Sequence, residues 1–438
     1  MDYLRGLLGI TVFLSIAYLC SNNRKHINWR LVATGVTLQI IFGVLVLEVP
    51  TVKSGFMVIG EKFAQFINYT QAGTKFLFGE QLYNAGGSTG FIFAFQVLPT
   101  IIFFSTVSAG LYYLGVLQKI VFGIAWVMSK TMHLSGAESL SAAGNIFLGQ
   151  TEAPLLVRPF IKKMTISEIN CLMTGGMATL AGGVLAYYIT LLGGNDLQKQ
   201  AEFAAYLLSA SVMNAPGAIV MSKMLFPETE AIEVKLEVSK ESLGVNLIDA
   251  MSIGAGDGLK LALNVGGMLL AFIAVVALLN GMLGWIGDIG AEKEGMGRIN
   301  QSIKEYTNGL FTKLSLEYIL GLVGQPVAWL MGVDWKDTLV VGSLIGQKTA
   351  LNEAIAYTKL AEFKAIGDAA ISQKAILIST FALCGFSNFS SIAIQIGGIG
   401  GMAPERQGDL SRLGMRALLG ASLACFMTAA IAGALSSL

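Results

Sequence analysis

Gly144-Asn145-Ile146-Phe147-Leu148-Gly149-Gln150-Thr151-Glu152-Ala153-Pro154 is the stretch on which the fold turns. It lies in the segment Gly136–Lys163, which is too short, too polar and too rich in glycine to cross a bilayer simply, although apolar runs flank it. A second stretch, Gly346-Gln347-Lys348-Thr349-Ala350-Leu351-Asn352-Glu353-Ala354, sits in a similar segment, Asp337–Tyr357. Both contain Gly-Gln, then a polar residue, then Glu-Ala. Each precedes an apolar run interrupted midway, by Thr174-Gly175-Gly176 and Thr179 in one case and by Ser387-Asn388-Phe389-Ser390-Ser391 in the other. The two units read as copies of one plan, a re-entrant hairpin followed by a broken span. Irregular backbone at membrane depth is tolerated only where protein or a water-filled cavity surrounds it. Paired interruptions of this kind point to a transporter's binding site near the bilayer midplane.

Composition agrees with a membrane setting. Of 438 residues, 54% are hydrophobic and 13% charged, against roughly 25% charged in a soluble domain. Mean hydropathy is +0.65, and 52 residues are glycine. These values exclude a soluble enzyme and a disordered chain. The 29 basic and 28 acidic residues leave a net charge of +1, so no basic field exists to hold nucleic acid. About 20 apolar residues cross the hydrocarbon. Eight spans are expected: Tyr3–Cys20, Leu31–Leu47, Phe91–Val116, Ile169–Leu192, Phe203–Leu225, Leu259–Ile289, Ala375–Gly398 and Leu413–Leu438. Lys53–Leu82, Leu117–Met132 and Leu314–Val333 mix charge or aromatics with apolar residues and read as interfacial helices. The first run is followed, not preceded, by its basic cluster, and is read as a retained span rather than a secretory signal. Arg24, Lys25 and Arg30 in the first loop, with Arg406 and Arg412 before the last span, put both termini outside. The fold class is an all-α polytopic membrane protein with eight transmembrane helices, two re-entrant hairpins, interfacial helices and an internal inverted repeat.

Candidate chemistry sits in the two units. Glu152 and Glu353 either snorkel to an interface or line a functional site; a carboxylate within hydrocarbon is functional by default, and the matching motifs favour that reading. Ser387, Asn388, Ser390 and Ser391 form a neutral hydrogen-bonding patch, or else glue between helices. Phe386 beside it is an aromatic contact or ordinary packing. Asn145 and Thr179, with carbonyls of broken helices, offer an oxygen cage for a small monovalent cation, though their spacing alone says little. Cys20, Cys171, Cys384 and Cys425 are scattered in apolar runs, and His26 and His133 are the two histidines, so a zinc protease lacks ligands. Gly342–Thr349 falls short of a phosphate loop because Gln347 stands where glycine is required. Gly254-Ala255-Gly256-Asp257 resembles an intramembrane aspartyl protease motif but has no partner aspartate, and is expected to form a turn entering span six.

At these residues the sequence resembles the concentrative nucleoside transporter family, in its short bacterial form. The blocks are Gly149–Pro154, Ser211-Val212-Met213-Asn214-Ala215-Pro216-Gly217-Ala218, Leu261–Val265, Leu351-Asn352-Glu353 with Ala356-Tyr357, and Cys384-Gly385-Phe386 with Asn388, Ser390 and Ser391. The resemblance covers the chain from about Tyr3 to Leu438. It implies a homotrimer in the inner membrane, with a scaffold and, in each protomer, a mobile transport domain of two hairpins and the broken fourth and seventh spans. It implies that Gln150, Thr151 and Glu152 contact the nucleobase, with Val184 nearby. Glu353, Asn388 and Ser391 would hold ribose hydroxyls, with Phe386 against the sugar. Sodium would bind the side chains of Asn145 and Thr179 and the carbonyls of Leu148 and Leu180.

The expected organisation is scaffold over 1–134, a first transport repeat over 135–225, span six with an interfacial helix over 226–335, a second repeat over 336–400, and span eight over 401–438. The function expected is secondary active, sodium-coupled nucleoside uptake rather than catalysis. Proton coupling and, further off, an intramembrane enzyme acting on a lipid-linked substrate are the alternatives.

Overall fold

The structure, a computed structural model, describes residues 2–83, 92–194, 196–234, 236, 244–289 and 298–436. The expected limits Phe91 and Leu438, and 290–297 of a polar loop, lie outside these. Among the described residues every regular element is helical.

Seven helical runs are long and apolar enough to cross a membrane: Asp2–Leu19, Trp29–Leu47, Phe93–Tyr113, Ile166–Gly193, Leu197–Leu225, Leu247–Gly287 and Pro404–Leu435. We call these spans one to six and eight. Span seven is made of two shorter apolar helices, Gln373–Leu383 and Phe389–Met402. In lipid, an apolar surface has no need to hide from solvent, so burial separates centre from periphery. Span four is 89% buried and span five 83%, whereas span six is 17% buried. The hairpins, spans four, five and eight and the first half of span seven therefore make the core, and span six presents most of its surface outward. Polar side chains tie central helices together, as where Gln39 Nε2 donates to Thr428 Oγ1 at 2.8 Å between spans two and eight.

Span six corrects the expected boundaries. It is one helix of 41 residues starting at Leu247 rather than Leu259, capped by Asn246 Oδ1, which accepts from Asp249 N at 2.9 Å. Gly254-Ala255-Gly256-Asp257 is inside this helix and is not a turn. Gly254 is there because span three crosses against it: a Cβ on Gly254 would lie 2.6 Å from the Ser105 carbonyl oxygen. Likewise Gly342–Thr349 is buried helix, part of Thr338–Ala350. Helix Leu316–Leu330, expected at the interface, packs along that hairpin arm through Gly321 and Gly324.

Candidate functional site

Hairpin one begins with a helix whose start is written in the sequence. Ser135 and Glu138 form a reciprocal capping box, with Glu138 N donating to Ser135 Oγ at 3.1 Å and Ser135 N to Glu138 Oε2 at 3.2 Å. The helix Gly136–Gly144 is only nine residues long. The chain then runs irregularly to Glu152 before the short turns Ala153–Val157 and Arg158–Ile161 lead out. Gly149 N donates to Glu152 Oε2 at 2.8 Å, which folds the tip onto its own carboxylate.

Hairpin two is tighter. Thr338–Ala350 and Glu353–Ile366 are joined by Leu351 and Asn352 alone, and Asn352 Oδ1 caps the second helix by accepting from Ile355 N at 2.9 Å. This sets Glu353 in the first turn of the outgoing arm.

Span four is helical over Ile166–Ala178 and again over Gly182–Gly193. Its interruption is Thr179-Leu180-Ala181; Thr174-Gly175-Gly176, read from sequence as part of the break, is regular helix. Span seven breaks at Cys384–Asn388. The two breaks touch: Phe386 N donates to the Thr179 carbonyl at 3.3 Å. Gly385, at φ +156°, allows the approach, since a Cβ there would lie 2.8 Å from the Ala178 oxygen. Asn214 of span five donates from Nδ2 to both break carbonyls, Ala178 O at 2.8 Å and Cys384 O at 2.7 Å. One amide thus satisfies backbone acceptors that both interrupted helices leave free.

The four half-elements converge on one cavity of about 120 Å³. Gln150, Thr151, Glu152, Val184, Glu353, Phe386, Asn388 and Ser391 all line it. Glu152 is exposed to this cavity. Glu353 is buried and accepts from Tyr188 Oη at 3.0 Å and from Asn388 Nδ2 at 2.8 Å. The Asn388 oxygen in turn accepts from Ser391 N at 2.9 Å and Ser390 Oγ at 2.6 Å, so this amide caps the second half of span seven while its nitrogen holds Glu353. Gln150 Nε2 donates to Ser391 Oγ at 3.2 Å, linking hairpin one to span seven, and its Oε1 is buried with no partner among the described residues.

Two features escaped the sequence reading. Tyr188 lines the cavity, stacks on Tyr357 with centroids 4.1 Å apart, and is the hydroxyl on Glu353. It follows Val184 by one helical turn, and this i,i+4 relation is the signal that could have found it. The opposite wall is Leu261, Val265, Met268 and Leu269 of span six. Asn264, the polar member of that sequence block, is exposed.

The residues expected to hold sodium lie beside the cavity. Asn145 is buried, and among the described residues neither its Oδ1 nor its Nδ2 has a hydrogen-bond partner. Its Nδ2 would lie 3.1 Å from a Cβ on Gly175, against the last turn of span four's first half. Thr179 Oγ1 donates to the Gly175 carbonyl at 3.0 Å. Among the described residues no hydrogen bond ends on the Leu148 or Leu180 carbonyl. An orphaned amide, a hydroxyl and free carbonyls at the negative end of a helix make a neutral oxygen donor set suited to an alkali cation.

Comparison with known proteins fits this geometry. The family model described as "Na+ dependent nucleoside transporter C-terminus" matches residues 206–433, its N-terminal counterpart matches 8–81, and a "Nucleoside recognition" gate model matches 94–195. The chain belongs to the sodium-dependent nucleoside transporter family. It is thus a polytopic membrane transporter and not an enzyme. The transporter is 41% identical over 440 residues to an uncharacterised transporter of Haemophilus influenzae, covering 99% of this chain and 98% of that one. It is 40% identical to sodium/nucleoside cotransporter 1 of Mus musculus, across 99% of its own length and 64% of the relative's. A structure of CNTnw in an inward-facing substrate-bound state aligns over 100% of both chains with a TM-score of 0.88 and 41% identity. An outward-facing CNTnw variant aligns with a TM-score of 0.89 and 40% identity, over 100% of this chain and 98% of the other.

Proposed function

We propose that this transporter takes up a nucleoside together with sodium by alternating access, the two hairpins and spans four and seven forming the moving binding unit. The observation that supports it is the single cavity in which Glu152 of hairpin one and Glu353 of hairpin two meet, with the Asn145 donor set alongside. Ribose hydroxyls are donors, and a carboxylate has about four acceptor sites. Tyr188 and Asn388 use two at Glu353, which leaves the others for a sugar. Such a site rejects a free base by leaving its own buried polar groups unpaired. Gln150, Thr151 and Glu152 offer the donors and acceptors for a base edge, and Val184 and Phe386 offer apolar contact.

Sodium at Asn145, Leu148, Thr179 and Leu180 would order the irregular tip that also bears Gln150, Thr151 and Glu152. Each ligand would then favour the other, reciprocally by linkage. The largely outward-facing span six is compatible with lipid and with neighbouring copies in a homotrimer. The inner membrane, with both termini outside, is the setting we assign. The deciding experiment is uridine uptake into proteoliposomes with and without an inward sodium gradient. Accumulation with the gradient is expected. Equal rates, or uptake driven by pH alone, would overturn sodium coupling.

A further inference from the structure

The same element order, hairpin then broken span, occurs twice, and in each copy the incoming hairpin arm abuts the C-terminal end of the broken span's first half. In the first copy that junction holds the orphaned Asn145 amide and Thr179. In the second it holds an ammonium. Lys348, in the last turn of the arm Thr338–Ala350, is 1% exposed, and its Nζ donates to the Ala382 carbonyl at 2.9 Å. Ala382 is the penultimate residue of Gln373–Leu383, so the charge faces the negative end of that half-helix. The ammonium also lies within electrostatic reach of the Glu353 carboxylate, five residues on across the tight turn.

A charge buried here needs a counter-charge close by. Hairpin two brings one buried charge of each sign, Lys348 and Glu353, into reach of each other, without a direct salt bridge between them among the described residues. Hairpin one has Glu152 at its tip, and among the described residues no cationic side chain bonds to the break after Ala178, where the neutral donors Asn145 and Thr179 gather instead.

We propose that Lys348 is a tethered cation, doing in the second repeat what a sodium ion does in the first, so that one sodium accompanies each nucleoside and the ribose half of the site is set without an ion. Lys348 is then a positioning residue acting through Glu353 and the span-seven break. This rests on the sodium reading above, and the test separates the two.

Sodium and uridine fluxes measured together in proteoliposomes should give a ratio of one; a ratio of two overturns the tethered cation, while uptake indifferent to sodium overturns the sodium reading instead. Lys348→Met should weaken uridine binding at saturating sodium by tenfold or more. Its thermal stabilisation by sodium alone should match that of the unaltered protein. Because a buried methionine leaves Glu353 uncompensated, the double variant Lys348→Met with Glu353→Gln should melt above Lys348→Met, or assemble where the single variant does not. A double variant no more stable than Lys348→Met means that Lys348 only fills space and overturns the proposal.

Discussion

The two hairpins share a plan and differ in what they leave open. Hairpin two turns in two residues, its asparagine is spent on a cap, its lysine is bonded to a carbonyl and its glutamate holds two donors. Hairpin one wanders from Asn145 to Glu152 and keeps the Asn145 side chain and the Gln150 oxygen unpartnered in a buried place. Unpaired buried polar groups each cost about 1–3 kcal/mol. The contrast teaches that the second half of the site is satisfied by the polypeptide itself, whereas the first keeps buried polar groups open, which on the reading proposed above await ligand and ion.

Four substitutions sharpen or break this contrast. Glu353→Gln replaces the charged acceptor of the finished half; losing charge-assisted hydrogen bonds of about 1.5–3 kcal/mol should weaken uridine binding by roughly 10- to 150-fold in calorimetry. Unchanged affinity would remove Glu353 from ribose recognition. Asn145→Ala acts on the unfinished half. Coupling between allosteric ligands is typically about 5- to 150-fold, and the variant should lose most of sodium's enhancement of uridine affinity, seen in titrations with and without sodium. Undiminished enhancement would put the ion elsewhere.

Asn214→Ala touches neither hairpin but strips the amide donor from two buried carbonyls, leaving each only the longer contact from Cys425 Sγ. The purified protein should lose about 1–3 kcal/mol of stability, read as a lowered melting temperature in detergent, and an unshifted melt would show that the breaks are held without it. Tyr188→Phe is the mildest. Removing one hydroxyl from Glu353 should cost about 1 kcal/mol, a roughly fivefold weaker uridine affinity with sodium stabilisation unaltered. A sodium effect here would mean that the halves are not separable.

Much of this was legible in the chain because lipid is an exacting solvent. Hydropathy exposed the spans, and Gly-Gln with a nearby Glu-Ala exposed the hairpins, since such residues are tolerated at membrane depth only for a reason. The break in span four was misjudged because glycine weakens a helix by about 1 kcal/mol but does not end it. Gly175 and Gly176 stay helical where Asn145 and Gln150 pack against them. The expected start of span six falls late because Asp257 ends the apolar run, while the helix continues through it, its carboxylate 3.7 Å from the Lys260 ammonium one turn on. Tyr188 was invisible for another reason. In an apolar run, an aromatic that positions a carboxylate looks the same as one that packs.

Span six has a further consequence for how the cargo travels. Where it meets the cavity it offers Leu261, Val265, Met268 and Leu269, whose side chains have no hydrogen bonds to surrender, while on the other side Asn214 and the contact between Phe386 and Thr179 bind the two interruptions into one piece. If the binding unit moves as proposed above, a loaded site would slide past that greasy wall without surrendering a hydrogen bond to it.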